Sequence, residues 1–382
     1  MMDRNFDKYS ALTITKSLIQ CGSFNPPGNE KQAAAICCEL LESCGFDAKI
    51  DEFAENRCNV IGILGDRSNI MLMLGGHLDV VPVLGGWTLS PVDGFSKDGY
   101  IYGRGACDML GGCASILSAA AFAASRLKNQ KYGIAVVLTA DEEEKYKGVK
   151  RFLSSSDIKP KNAIIAEPTN LQLHIGHRGY ASYYLKTSGK SCHASQPQNG
   201  VNAIYKMAHV LQSIESYEKS LILKHDKMLG CATASVGTVQ GGVKLNTVPD
   251  SCMAELERRT LPGETESDIY KEIAVAAGDE CEVIKRSFFP ATLITKNNPL
   301  VQVVSSSYKN LFNSEQIIDY FPACSEASMY GGQAGIPTII CGPGDIKYAH
   351  RENERCSEQQ IMEAAKLFSE LILKAAAEGI HE

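Results

Sequence analysis

The chain has 382 residues, of which 44% are hydrophobic and 21% charged, and its formal net charge is −6. This composition excludes a disordered or collagen-like protein. The Lys and Arg residues are scattered, so the chain has no basic surface for nucleic acid. At about 150 residues per domain, the length suffices for two or three compact units.

Neither a secretion signal nor a membrane span is predicted. The N-terminal residues lack a basic segment followed by an apolar one, and the run from Ala119 to Ala124 is far shorter than the roughly 20 residues of a membrane span. The 14 cysteines include no C-x-x-C pair and fall mostly in helix-like apolar patterns. We interpret them as reduced, buried side chains and expect a cytoplasmic protein.

Apolar strands alternate with helices in the first part of the chain. A helix is predicted for residues 29–44, from an apolar stripe that ends before Gly45, and an Ala-rich helix for residues 111–127. Strands are predicted at residues 46–50, 70–74, 133–139 and 163–166. This alternation predicts an α/β domain with a mostly parallel sheet that is covered on both faces.

Beyond residue 178 the pattern changes to polar alternation, which is typical of an antiparallel sheet. Strands are predicted there at residues 180–187, 232–239 and 252–258, and helices at 201–213 and 264–277. The buried pattern returns from residue 292, with a helix at 300–311, a strand at 337–341 and a last helix at 357–377. The prediction is one α/β domain, residues 1–178 and 292–382, interrupted by an inserted α+β domain, residues 179–291.

A histidine and an aspartate follow the apolar run at residues 70–74. If the strand continues, His77 and Asp79 share a face, because strand side chains alternate with period two. A carboxylate beside a histidine is the arrangement that fixes the tautomer of a metal-binding imidazole. For this pair alone, a structural hydrogen bond at a strand end is the stronger explanation.

Further carboxylates lie where predicted elements begin or end. Asp108 lies in a glycine-containing loop before the Ala-rich helix, where capping of that helix is the alternative role. Residues 141–144, Asp-Glu-Glu-Glu, follow a buried strand and repel one another unless cations lie among them; a solvated acidic loop is the alternative. Glu167 ends another apolar run.

These positions share one edge of the predicted sheet. Functional sites in open α/β sheets lie outside the carboxyl ends of the strands. His77, Glu143 and Glu167 occupy such positions, and His350 follows the predicted strand at 337–341. With Asp108 they form a set of two imidazoles and three carboxylates. This set suits a pair of Zn²⁺ or similar divalent ions bridged by one carboxylate.

The same segments resemble the M20 family of co-catalytic zinc aminoacylases and carboxypeptidases. The matching segments are residues 76–79, 103–109, 139–143 and 166–169, and Ala349-His350 with Glu354. They span nearly the whole chain in the family's order. Within the family, residues 167–169, 193–195, 200–204 and 341–344 are most similar to acetylornithine deacetylases.

The resemblance implies a zinc-hydrolase catalytic domain with an inserted dimerisation, or lid, domain, and a homodimer formed through that domain. It implies two metal ions per chain, most specifically Zn²⁺, with Co²⁺ able to substitute. One ion is implied to bind His77 and Glu167, the other Glu143 and His350, with Asp108 bridging both.

Roles for five more residues follow from the resemblance. Asp79 is implied to orient the histidine two residues before it, and Glu142 to act as the general base. A one-residue shift among the neighbouring glutamates stays open. In the inserted domain, His193 is implied to reach the active site of the partner subunit, and Asn246 and Arg259 to bind the substrate. Structural or surface roles are the alternatives for these three residues.

The implied activity is hydrolysis of the amide of a small N-acyl amino acid, in particular deacetylation of N2-acetylornithine in arginine biosynthesis. Desuccinylation of succinyl-diaminopimelate, or hydrolysis of another acylated amino acid or dipeptide, is the alternative that shares the same ligands. Leu110 and Glu257 depart from the usual Lys and Asp of the family and lie near the region that sets specificity. A non-catalytic metal-binding relative is a further alternative. A flavodoxin-like cofactor binder lacks the G-x-G-x-x-G motif.

Overall fold

The computed structural model describes residues 9–128 and 130–380. These residues divide into two compact units. The first unit contains the chain as far as Gly176, then Ile294–Phe321 and the segment from Ser325 onwards. The second unit contains His177–Leu293 and Pro322–Cys324. The middle of the chain therefore forms a unit of its own.

A mixed sheet forms the centre of the first unit. Within the described residues it has nine strands, seven of which are, in spatial order, Asp47–Ala54, Arg57–Leu64, Gly133–Thr139, Ile70–His77, Ala163–Ile165, Thr338–Ile340 and Leu173–His177. The short strands Thr292–Leu293 and Ile318–Phe321 both pair with Leu173–His177. The four strands from Gly133–Thr139 to Thr338–Ile340 are parallel neighbours. The pairs on either side of them are antiparallel. The predicted α/β class is confirmed, but the sheet is parallel only at its centre, because the hairpin Asp47–Leu64 extends one side in antiparallel fashion.

Helices cover this sheet, and an Ala-rich helix lies in the core of the unit. The helices are Ala11–Gln20, Lys31–Ser43, Gly111–Ala124, Lys147–Ser155, Pro299–Phe312 and Glu358–Ala377. Small side chains let Gly111–Ala124 pack closely against its neighbours. A Cβ atom at Gly112 would lie 2.2 Å from the carbonyl oxygen of Ala166. The helix therefore lies directly against the segment that leads into Glu167.

The segment Ala106–Ala124 is the one stretch within the described residues that is long and apolar enough to cross a membrane. Of its most apolar window, 94% is buried inside the protein. Burial of this extent is typical of the central helix of a globular domain. A small antiparallel sheet, in the order Arg355–Ser357, Tyr100–Tyr102 and Phe95–Lys97, lies in the same unit and joins the loop before residue 106 to the segment after His350.

The second unit contains a four-stranded antiparallel sheet. Its strands are, in spatial order, Thr233–Gly241, Ser251–Thr260, Gly179–Ser188 and Cys281–Phe289. Buried side chains alternate with more exposed ones along Ser251–Thr260, as expected for a sheet with one covered face. The helices Ala203–Ser220 and Glu266–Ala277 pack on this sheet and on each other. The alternation pattern predicts three of these strands but not Cys281–Phe289.

Candidate metal centre

Two imidazoles approach the same carboxylate in the first unit. His77 ends the strand Ile70–His77, and its Nε2 lies 3.4 Å from Oδ1 of Asp108. His350 approaches from the loop after the Thr338–Ile340 strand, and its Nε2 lies 3.3 Å from Oδ2 of the same aspartate. The two oxygens of one carboxylate therefore face two different imidazoles, which is the arrangement of a bridging metal ligand.

Three glutamates complete this cluster. Oε1 of Glu143 lies 3.1 Å from Nε2 of His350. On the opposite side, Oε1 of Glu167 and Oε2 of Glu142 each lie 3.9 Å from Nε2 of His77. The structure thus brings together all five residues for which the sequence predicts metal binding, and places the predicted general base, Glu142, beside them.

Ligand-type atoms in the cluster are close enough together for metal binding. One ligand atom from each of His77, Asp108 and Glu143 lies within 4.8 Å of the other two. The side chain of His350 is 52% exposed, whereas His77, Asp108 and Glu167 are buried. The centre is therefore open to solvent on the His350 side. Imidazole nitrogens and carboxylate oxygens in this number suit a divalent transition-metal ion such as Zn²⁺.

Ion pairing decides the protonation of the imidazoles in this cluster. Hydrogen bonds with Asp108 and Glu143 raise the pKa of His350 to about 10. Burial opposes a charge on His77, but the hydrogen bond with Asp108 and the charge of Glu142 together hold its pKa well above the usual range. Burial also acts to raise the pKa of Asp108, and its hydrogen bonds with the two imidazoles outweigh burial and lower it.

For the glutamates of the cluster, burial outweighs the contacts with the imidazoles, and their pKa values are raised. Burial, together with the charge of Asp108, raises the pKa of Glu143 and Glu167. Burial likewise raises the pKa of Glu142 well above its usual value, and the neighbouring Glu143 adds to this effect. Several carboxylates confined in one buried cluster repel one another, and cations among them relieve that repulsion. The chemistry of the donor set therefore fits divalent metal ions.

Asp79 supports the centre differently from the expectation. Nδ1 of His77 lies 2.8 Å from the backbone carbonyl oxygen of Asp79, which leaves Nε2 directed at the cluster. The Asp79 carboxylate is farther from that ring nitrogen, at 3.7 Å. It accepts instead the backbone N–H groups of Glu142 and Glu143, each at 3.1 Å. Asp79 therefore orients the imidazole through its backbone and the two glutamates through its side chain.

Glu354 and Arg104 support the bridging aspartate, a role that the sequence alone did not reveal. Oε1 of Glu354 accepts the backbone N–H groups of Cys107 and Asp108, at 2.9 and 3.0 Å. Its Oε2 pairs with Nη1 of Arg104 at 2.5 Å, and both side chains are buried. Burial raises the pKa of Glu354 to about 7. Glycines on both sides of Arg104 predict a loop but say nothing of its partner.

The remaining predicted site residues lie in the second unit. His193 is exposed, its Nδ1 lies 2.7 Å from Oγ of Ser195, and it forms an isolated bridge with Thr247. The backbone of Asn246 accepts a hydrogen bond from Ala194, so the His193 and Asn246 segments lie side by side. Arg259 pairs with Glu257 at 2.6 Å and lies over the ring of Tyr180.

Comparison with known proteins identifies the family. Residues 73–374 match peptidase family M20/M25/M40. The chain belongs to this family. It is 30% identical over 380 residues to acetylornithine deacetylase of Proteus mirabilis, covering 95% of each chain. It is 28% identical over 369 residues to the uncharacterised protein YgeY of Escherichia coli K12, covering 90% of each.

Solved structures of M20 proteins share the fold. An M20 metallo-carboxypeptidase from Sulfolobus solfataricus superposes with a TM-score of 0.80 at 18% identity, over 95% of this chain and 98% of the other. The YXEP protein of Bacillus subtilis, described as a dinuclear metal-binding peptidase of the M20 family, gives a TM-score of 0.74 at 16% identity, over 98% and 99% of the two chains. The predicted family is therefore confirmed. As an M20 protein the chain is a metal-dependent hydrolase.

Two positions differ from the usual M20 pattern. Leu110 is buried, and a Cβ atom at Gly105 would lie 2.8 Å from its Cδ1. The side chain at position 110 therefore packs in the core of the loop that carries Asp108. Glu257 forms an ion pair with Arg259, and its side chain is one carbon longer than that of the usual aspartate. Neither departure removes a candidate metal ligand.

Proposed function

We propose that this M20 hydrolase is a dinuclear metal amidohydrolase that removes the acyl group from a small N-acyl amino acid, with N2-acetylornithine as the leading substrate. The observation that carries the proposal is the position of Asp108. Its two oxygens face the imidazoles of His77 and His350 separately, at 3.4 and 3.3 Å. A carboxylate between two imidazoles is suited to bridge two ions.

The metal ligands are assigned from the family resemblance, and the contact of Glu143 with His350 at 3.1 Å supports the assignment of that pair. His77 and Glu167 would hold one ion, Glu143 and His350 would hold the other, and Asp108 would contact both. Zn²⁺ is the metal that this mixed nitrogen and oxygen donor set favours, and Co²⁺ can substitute. When bound, the ions polarise the substrate carbonyl and lower the pKa of a water molecule.

Glu142 is the general base in this proposal. Its carboxylate is buried beside the ligands, 3.9 Å from Nε2 of His77. The backbone N–H of Glu142 donates to Asp79, which holds the backbone at this position. It takes a proton from the attacking water and delivers it to the leaving amine. The next residue, Glu143, pairs with His350 and is a ligand instead.

Substrate recognition is assigned to the second unit. Arg259 has the planar guanidinium that pairs bidentately with an α-carboxylate, and its present partner is the single carboxylate of Glu257. Asn246, in the loop between the strands Thr233–Gly241 and Ser251–Thr260, is also proposed to bind the substrate. We further propose a homodimer, in which His193 serves the active site of a second copy. The acetylornithine deacetylases at 27–30% identity support this choice of substrate.

A substrate panel tests the proposal. The purified chain, loaded with Zn²⁺ or Co²⁺, is assayed on acetylornithine, acetylcitrulline, succinyl-diaminopimelate and simple dipeptides, with a chelator-treated sample as control. We expect release of acetate and ornithine that stops on chelation and returns with metal. Preferential cleavage of succinyl-diaminopimelate or a dipeptide would replace the substrate but keep the chemistry. Two bound metals without turnover on any member would refute the proposed hydrolysis of small N-acyl amino acids.

A further inference from the structure

A buried ion-pair network in the first unit includes Asp141, the residue just before Glu142 and Glu143. Arg57 forms a bidentate pair with Glu30, from Nε to Oε2 and from Nη2 to Oε1, both at 2.9 Å. The same Nη2 donates to Oδ1 of Asp141 at 2.9 Å. None of these three residues is more than 8% exposed. The network is therefore shielded from water, where charge pairs respond strongly to the loss of a partner.

Asn25 connects this network to the metal centre. One N–H of its amide donates to Oδ1 of Asp141 at 3.2 Å and the other to Oδ2 of Asp79 at 2.8 Å. Asp79 in turn accepts the backbone N–H groups of Glu142 and Glu143. The Asp79 side chain, which positions the backbone of the proposed base and of one proposed ligand, is thus held by an amide that also binds the buried carboxylate of Asp141.

The Pro-Pro-Gly sequence after Asn25 forms the site in which the Arg57 guanidinium is held. The carbonyl oxygen of Pro27 accepts from Nη1 of Arg57 at 3.3 Å. Gly28 has a φ of +91°, and a Cβ atom there would lie 2.2 Å from the guanidinium carbon. Only glycine leaves room for the guanidinium in this conformation. The Pro-Pro-Gly motif therefore forms a turn and also makes room for the guanidinium of Arg57.

We infer that Asn25 and Arg57 are positioning residues of the metal centre, an inference that rests on the proposed function. Neither touches the cluster of ligands. Every oxygen of Asp79 and Asp141 has a donor, since Oδ2 of Asp141 accepts the backbone N–H of Lys147 at 3.2 Å. Without the amide of Asn25, the two carboxylates lose their shared donor and repel each other. The backbone of Glu142 and Glu143 then shifts with Asp79.

Asn25→Ala tests this inference, because the variant removes the amide and leaves both partners of the Arg57 ion pairs, Glu30 and Asp141, in the sequence. The full chain is titrated with Zn²⁺ against a chromophoric chelator, and kcat and KM are measured on the substrate that the wild type cleaves. We expect Zn²⁺ affinity to fall by roughly 10–100-fold, the usual effect of removing a residue that orients ligands. We expect kcat to fall with it and KM to stay near the wild-type value.

Arg57→Lys is the second variant, because lysine keeps the charge but cannot form the planar fork. Arg67→Lys is its matched control, since Arg67 forms the same fork with Asp157, at 3.1 and 2.7 Å, on the exposed surface. We expect weaker Zn²⁺ binding in Arg57→Lys and wild-type binding in Arg67→Lys. Circular dichroism of the metal-free variants measures the folded fraction.

Wild-type Zn²⁺ affinity in both folded variants overturns the inference while leaving the proposed function intact. A loss of affinity no larger than the loss of folded protein also overturns it, because the role is then only structural. A wild-type chain that binds no Zn²⁺ overturns the proposed function and this inference together. A wild type that binds Zn²⁺ but cleaves no substrate fails the proposed function alone, and the Zn²⁺ titrations still decide the inference.

Discussion

Oε1 of Glu354 lies 3.0 Å from the backbone nitrogen of Asp108, a residue 246 positions earlier in the chain. Glu354 follows His350 by four residues, so the segment that supplies one imidazole also holds the backbone of the aspartate between the two imidazoles. The buried guanidinium of Arg104 neutralises Glu354. The distance between the proposed bridging ligand and His350 is therefore fixed by direct contacts rather than by the sheet alone.

Glu354→Gln is expected to weaken both folding and metal binding. The amide removes the negative charge and leaves Arg104 buried without an ionic partner, which costs about 3–5 kcal/mol of unfolding free energy for a buried pair. Urea unfolding of the metal-free chain measures this loss, and Zn²⁺ titration measures the metal affinity. The exposed Glu352→Gln is the control. Equal stability of the two variants would contradict this role for Glu354.

Glu142→Ala is expected to separate catalysis from metal binding. Because Glu142 is proposed to move protons rather than to hold an ion, the variant should keep the metal content of the wild type. Its kcat should fall by roughly 10²–10⁴, the contribution of a general base. Glu144→Ala changes an exposed neighbour and should retain wild-type kcat. Near-normal turnover of the Glu142 variant, or loss of a metal ion from it, would move the base to another glutamate.

Metal content distinguishes the proposed ligands from their neighbours. Removal of His77 or of His350 should each leave about one ion per chain, because each imidazole belongs to one of two ions. Asp108→Ala should reduce the content below that of either histidine variant, since Asp108 is proposed to bind both ions. Elemental analysis of the purified variants, after dialysis against metal-free buffer, gives the counts. A wild type with one ion per chain would disprove the dinuclear assignment.

Apolar runs predicted the central strands because those strands are buried on both faces. The strand Gly133–Thr139 has the predicted bounds, and the helix Lys31–Ser43 lies within its predicted range. The strand Arg57–Leu64 was missed because it begins with buried polar residues. Asn59 in that strand donates to the carbonyl oxygen of Gly148 and accepts from the backbone N–H of Ala140. From the sequence alone these hydrogen-bond partners are unknown, and a segment with polar residues is then more readily predicted as a loop.

The candidate ligands could be predicted because they lie at the ends of strands and match a family pattern. Their supports could not, because they depend on contacts between distant segments. Arg104 and Glu354 are 250 positions apart, and Asn25 and Asp141 are 116 apart. The carboxylate of Asp79 was expected to contact His77, but the backbone carbonyl oxygen of Asp79 makes the closer contact. The strand ends at His77, so the backbone turns and the carbonyl group of Asp79 faces the ring instead.

His174 should make the stability of the first unit depend on pH outside the metal centre. It lies on the strand Leu173–His177, its ring packs 5.9 Å from that of Phe321, and Nδ1 has no hydrogen-bond partner among the described residues. Burial lowers its pKa from 6.5 to about 4. Within this pH range the unfolded chain binds a proton that the folded chain does not, so stability falls as the pH falls.

His174→Gln is expected to remove this part of the pH dependence. Between pH 6.5 and 4, the wild type should lose up to about 3 kcal/mol more unfolding free energy than the variant, as a shift of this size implies. Urea unfolding of the metal-free chain across this range supplies both curves. The exposed His225→Gln should retain the wild-type slope. Parallel curves for the wild type and His174→Gln would show that the pKa of this imidazole is the same in the folded and unfolded chains, because only a group whose pKa changes on folding contributes to the slope.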